Sequence, residues 1–103
     1  MSEVHQLLEY YMQAVQFPEA SGFEVLELLD VRSNLAAREN ELDLAQRAQL
    51  EEADSVFLHY TPTFFESVAA LGDLQDLRRR AAAPCSHWWW YLEKLGQRDT
   101  VKG

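Results

Sequence analysis

Residues 50–71 read LEEADSVFLHYTPTFFESVAAL, and the fold turns on how this stretch resolves. Leu50, Ala53, Phe57, Tyr60, Phe64, Val68 and Leu71 recur at steps of three and four, the period of a helix with one buried face. Pro62 interrupts the run. An interior proline removes a backbone hydrogen bond and costs about 3 kcal/mol, so one solution is a break with Thr61 capping a new helix. The apolar stripe nevertheless keeps one phase through the proline, which favours a long third helix kinked near Pro62.

Upstream of this run, Asp43 stands three positions before Gln46, the spacing of a capping box, and residues 40–43 read as a turn. A second helix is expected from about residue 23 to residue 39, with Ser21 or Gly22 as its cap. Its apolar arc (Val25, Leu26, Leu28, Leu29, Leu35 and Ala36) covers nearly half the circumference, wide enough for two neighbouring helices. Arg32 falls inside that arc. An arginine so placed lays its stem over apolar surface and sends its head to water or a carboxylate. The first helix, capped by Ser2, carries Val4, Leu7, Leu8, Tyr11, Ala14 and Val15 on one face. It stops at Phe17-Pro18, because the residue before a proline avoids the helical region.

Downstream, Gly72 and Asp73 read as a helix stop and the next N-cap. A short helix then carries Leu74, Leu77 and Ala81 inward, with Arg78, Arg79 and Arg80 complementing its C-terminal dipole. Pro84 breaks the chain, and Ser86 caps a last short helix through Leu95 that stops at Gly96. The expected architecture is all-α: a compact helical bundle of five or six helices around an antiparallel hairpin of the second and third helices. Residues 1–96 form one domain and residues 97–103 a frayed tail.

Composition agrees. The 103 residues are 48% hydrophobic and 25% charged, ordinary for a globular chain with one core. Four glycines and three prolines leave long stretches without a breaker, which favours helices over a turn-rich β fold. The net charge of −8 is uneven: residues 1–52 hold eleven acids and three bases, whereas residues 53–103 hold six of each. No lysine or arginine precedes Arg32. Such a field repels nucleic-acid backbones and anionic lipid and attracts basic proteins.

No constellation for chemistry stands out. There is no Glu-x-x-His motif of the di-iron type and no EF-hand calcium loop. His5 and Glu9 lie four apart, but His59 and His87 have no partner at zinc-site spacing. There is no nucleophile elbow, phosphate-binding glycine loop or dinucleotide fingerprint, and Cys85 next but one to His87 does not make a dyad. No catalytic residue, metal or cofactor is expected. A lone cysteine and the lack of a signal-like N-terminus or a membrane-length apolar run point to the cytoplasm. Arg78–Arg80, the only basic run, reads as a solvated helix end, a partner for the acids of the first half, or a contact to a second copy.

The run Trp88-Trp89-Trp90 is the most unusual feature. On an α-helix adjacent side chains point about 100° apart. Trp88 would then face inward with Tyr91, Leu92 and Leu95, Trp89 would flank that face, and Trp90 would project toward Glu93 and Lys94. Either the helix buries all three rings in a groove, or Trp89 and Trp90 are left for a partner. The functional expectation is a non-enzymatic, cytoplasmic inhibitor or adaptor of a basic protein, as the antitoxin of a toxin–antitoxin pair is. Glu24, Glu27, Asp30, Trp89 and Trp90 are the expected partner-binding residues. The alternative is a structural subunit of a homodimeric helical bundle.

Overall fold

The computed structural model describes residues 3–84 and 86–95, and every regular element among them is helical. The expected Ser2 cap, the Gly96 stop, the 97–103 tail and Cys85 lie outside the described residues. Helix α1 spans Glu3–Ala14 and α2 spans Gly22–Ala37. A 3₁₀ turn at Glu39–Glu41 leads to α3, Leu44–His59, followed by α4, Thr61–Ala69, and α5, Leu74–Arg80. A second 3₁₀ turn covers Trp88–Trp90, and residues 92–95 are again helical.

Local chemistry fixes the starts. Ser21 Oγ accepts from the Glu24 amide at 3.2 Å and the Glu24 carboxylate accepts from the Ser21 amide at 3.0 Å. Asp43 and Gln46 make the same reciprocal pair at 2.7 and 3.0 Å, and Asp73 caps the Gln75 amide at 3.1 Å. Each satisfies donors that a helix start leaves open.

The central helix is α2, packed on α1, α4 and the tryptophan turn. Val25, Leu28, Leu29, Arg32 and Leu35 are buried along it, so its broad arc is covered within the chain. The tightest antiparallel pair is α1 with α2, tied at one end by Tyr10–Glu27 and at the other by Glu3–Arg38. Of the expected third helix, the α4 part packs extensively on α2, whereas α3 packs on α1 and meets α2 through the Asp54–Arg32 pair.

That division happens at Tyr60. The chain breaks there instead of kinking, and Pro62 enters the first turn of α4, where a missing amide proton costs nothing. Thr61 does not cap. Its buried hydroxyl donates back to the Phe57 carbonyl at 3.1 Å. The apolar phase survives the break, and the Phe57 and Phe64 rings stack across it with centroids 5.2 Å apart. Ala81, expected inward, is exposed, because α5 ends at Arg80 and Ala82 takes a left-handed conformation with φ 55°. A Cα radius of gyration of 13.4 Å matches the roughly 13 Å of a compact chain of this length.

At Gly22 α2 comes close against α4. On propensity alone Gly22→Ala would favour a helix by up to about 1 kcal/mol. A Cβ at Gly22 would stand 2.5 Å from the Ser67 carbonyl oxygen and 2.6 Å from Leu71 Cγ. Backbone cannot swing aside, so overpacking wins and the variant should lose about 1–3 kcal/mol in urea denaturation. Unchanged stability would refute this contact between α2 and α4.

Candidate functional site

Three residues far apart in sequence meet beneath the tryptophan turn. Asp54 of α3 accepts the Tyr11 hydroxyl at 2.6 Å and Arg32 Nε at 2.9 Å on Oδ1, and Arg32 Nη2 at 3.0 Å on Oδ2. Arg32 is only 5% exposed. Burial alone would lower its pKa, but the bonds and charge of Asp54 outweigh this and hold it cationic. Burial, reinforced by the Asp54 carboxylate, pushes the Tyr11 phenol far up and keeps it a donor. The guanidinium lies 4.3 Å from the centre of the Trp89 ring and within 6 Å of those of Tyr11 and Trp88, a cation–π cage. Its Nη1 is buried without a hydrogen-bond partner among the described residues. The arginine head thus finds a carboxylate, as its place in the apolar arc suggested, and clamps α1, α2, α3 and the tryptophan turn together.

One residue on, Ser33 gathers the C-terminal segment. Its Oγ lies 3.0 Å from Trp89 Nε1, 2.9 Å from Trp90 Nε1 and 3.0 Å from His87 Nδ1. By distance alone the serine and histidine resemble a nucleophile and its base. An indole N–H only donates, however, so two indoles occupy both oxygen lone pairs. Ser33 Oγ is a hub of hydrogen bonds with no electron pair to offer a substrate.

The two tryptophans assigned to a partner are therefore turned inward. Trp89 is 3% and Trp90 4% exposed, whereas Trp88, expected deepest, is only partly buried against Phe57. The physical reason is the 3₁₀ turn, whose i to i−3 bonds run from Trp90 to His87 and from Tyr91 to Trp88. Side chains on it splay by about 120° instead of about 100°, so the α-helical projection fails. Arg78 fixes the turn from outside, donating to the Trp90 carbonyl at 3.0 Å while pairing with Glu93 and lying over the Tyr91 ring. Arg79 and Arg80 pair with Asp76. Among the described residues the basic run thus pairs with Asp76 and Glu93, not with the acids of the first half.

No family model, curated protein or solved structure matches the chain.

Glu24, Glu27 and Asp30 are all exposed on α2, as expected, but they are not equivalent. Glu24 is committed to its capping box. Glu27 accepts from the Tyr10 hydroxyl at 2.9 Å, and burial together with this carboxylate pushes the phenol up to about 12. Arg38 pairs with Glu3 and Glu41. None of the ion pairs among the described residues reaches Glu19, Glu24, Glu27 or Asp30.

Two aromatic residues that sequence reasoning passed over stand at the same end. Phe17 is 70% and Phe23 72% exposed, at the close of α1 and the opening of α2. Phe17, but not Phe23, helps to line a groove of about 290 Å³ between the helices, together with Tyr10, Ala14, Glu24, Val25, Leu28 and Phe64. Their signal in the sequence was their position, since each flanks the short connection between two apolar-faced helices. Among the described residues no three His, Cys, Asp or Glu side chains converge as a metal site, and no helix is long and apolar enough to cross a membrane.

Proposed function

We propose that this protein is a non-enzymatic, cytoplasmic binding module that inhibits or adapts a basic partner protein, gripping it at the α1–α2 end. The observation that carries the reading is a groove lined by the exposed Phe17 and by Glu24, with a second exposed phenylalanine, Phe23, at the opening of α2. Phe17 and Phe23 offer the aromatic anchors that dominate interface energetics. Glu19 and Glu24 line the same hollows as Phe17, Glu27 and Asp30 follow Phe23 at i+4 and i+7 along α2, and no lysine or arginine occurs in the first 31 residues. A partner segment carrying apolar side chains flanked by lysine or arginine is complementary to both features. The homodimer reading loses its motive, because the α2 arc that suggested it is covered within the chain.

The test is capture of a partner from cytosolic extract followed by titration against designed variants. Glu19, Glu27 and Asp30 are changed to lysine while Glu24 is kept for its cap. Phe17→Ser with Phe23→Ser forms a second variant. Affinity should fall with added salt, mainly through a slower on-rate, and each variant should bind about tenfold or more weakly with an unchanged helical signal. Binding indifferent to salt, charge reversal and loss of both rings would leave this end as ordinary solvated surface.

A further inference from the structure

The bonds at Ser33 leave one arrangement of protons. Its oxygen has two lone pairs and one hydrogen. Trp89 and Trp90 fill the lone pairs, so the hydroxyl proton goes to His87 Nδ1, 3.0 Å away. Were Nδ1 protonated, three donors would face two lone pairs and the hydroxyl proton would point at another hydrogen. His87 is therefore neutral, with its proton on Nε2. Its ring stacks on Trp89 at 4.6 Å, and Trp89 in turn carries the Arg32 guanidinium at 4.3 Å.

We infer that His87 is a proton-operated latch: adding a proton at Nδ1 breaks its bond to Ser33 and loosens the hold of Ser33 on the Trp88–Trp90 turn. Among the described residues, Arg32 of α2 is the charged group acting on the ring. Asp54 of α3, with the Tyr11 hydroxyl of α1 bonded to it, lies beyond the guanidinium and is occupied by it. On the segment's own side, Arg78 of α5 and Glu93 are paired with each other. A proton on His87 thus adds a second cation to a neighbourhood already held by one, and it removes the acceptor for Ser33.

Burial, followed by the Arg32 charge, accordingly holds the His87 pKa below the ordinary histidine value. The sign follows. The unfolded chain takes up its proton first as pH falls, near about pH 6.5. The His87 contribution to stability is therefore whole above that pH and is lost as pH falls toward the depressed folded value.

The experiment uses the full chain labelled with nitrogen-15. At about pH 7.5, long-range nitrogen–proton spectra should place the His87 proton on Nε2; a proton on Nδ1 overturns the inference. On titration to about pH 5, the Trp89 and Trp90 indole N–H resonances should leave their hydrogen-bonded positions along the His87 titration curve. Indoles that stay put while His87 titrates also overturn it. His87→Asn offers a side-chain oxygen near the Nδ1 position and does not titrate. It should remove the indole shift and flatten the acid fall in melting temperature relative to the wild-type protein. The same indole shift in this variant would overturn the latch, and the wild-type titration decides the matter even if the variant folds poorly.

Discussion

Asp54→Ala is expected to destabilise the protein by about 3–5 kcal/mol, the penalty for stranding one member of a buried ion pair. A domain of this kind has a total stability of about 5–15 kcal/mol, so the loss is a large share. The guanidinium of Arg32 would keep its charge beneath Trp89 with no carboxylate, and the buried Tyr11 hydroxyl would lose its acceptor. The pair itself is another matter, since the cost of desolvating two charges offsets most of their attraction. Arg32→Met, Asp54→Leu and Tyr11→Phe combined should therefore recover most of what Asp54→Ala loses. Urea denaturation followed by the helical signal measures both variants. A loss under about 1 kcal/mol for Asp54→Ala, typical of an exposed pair, would mean that water reaches the clamp.

The second large effect falls on Trp90. Its ring is buried and its N–H is bonded to Ser33, so Trp90→Ala should cost about 3–5 kcal/mol as a core truncation. Trp88→Ala, at the partly buried position, should cost distinctly less. This ordering reverses the one that an α-helical reading of residues 86–95 demands, which makes paired urea titrations of the two variants a direct test of the turn. A larger loss at Trp88 than at Trp90 would restore the α-helical geometry.

Which features were legible follows from the range of the forces involved. Ser21, Asp43 and Asp73 act on amides two or three residues away, so their roles can be read from a few letters. The apolar stripe from Leu50 to Leu71 likewise declares a helical surface. It cannot declare whether the helix breaks, because a break at Tyr60 and a kink at Pro62 preserve the same phase. The tryptophan run misled for a related reason: its direction depends on the residue repeat, and no local signal separates a 3₁₀ turn from a short α-helix. The Arg32 clamp joins partners 22 and 43 positions apart along the chain. Only the odd charge inside an apolar arc marked one of its members, and nothing pointed to Asp54 or Tyr11. Phe17 and Phe23 look like core residues by type, and only folded geometry reveals that they face water.

All three tryptophans of the chain sit in one three-residue turn, so fluorescence excited where only indole absorbs, and not the four tyrosines, is a reporter of that corner. Circular dichroism, by contrast, averages over α1 to α5. If the turn detaches before the helices melt, the two signals will give different midpoints, and a single unfolding free energy will not describe the protein. Coincident midpoints would show that the corner and the bundle unfold as one cooperative unit.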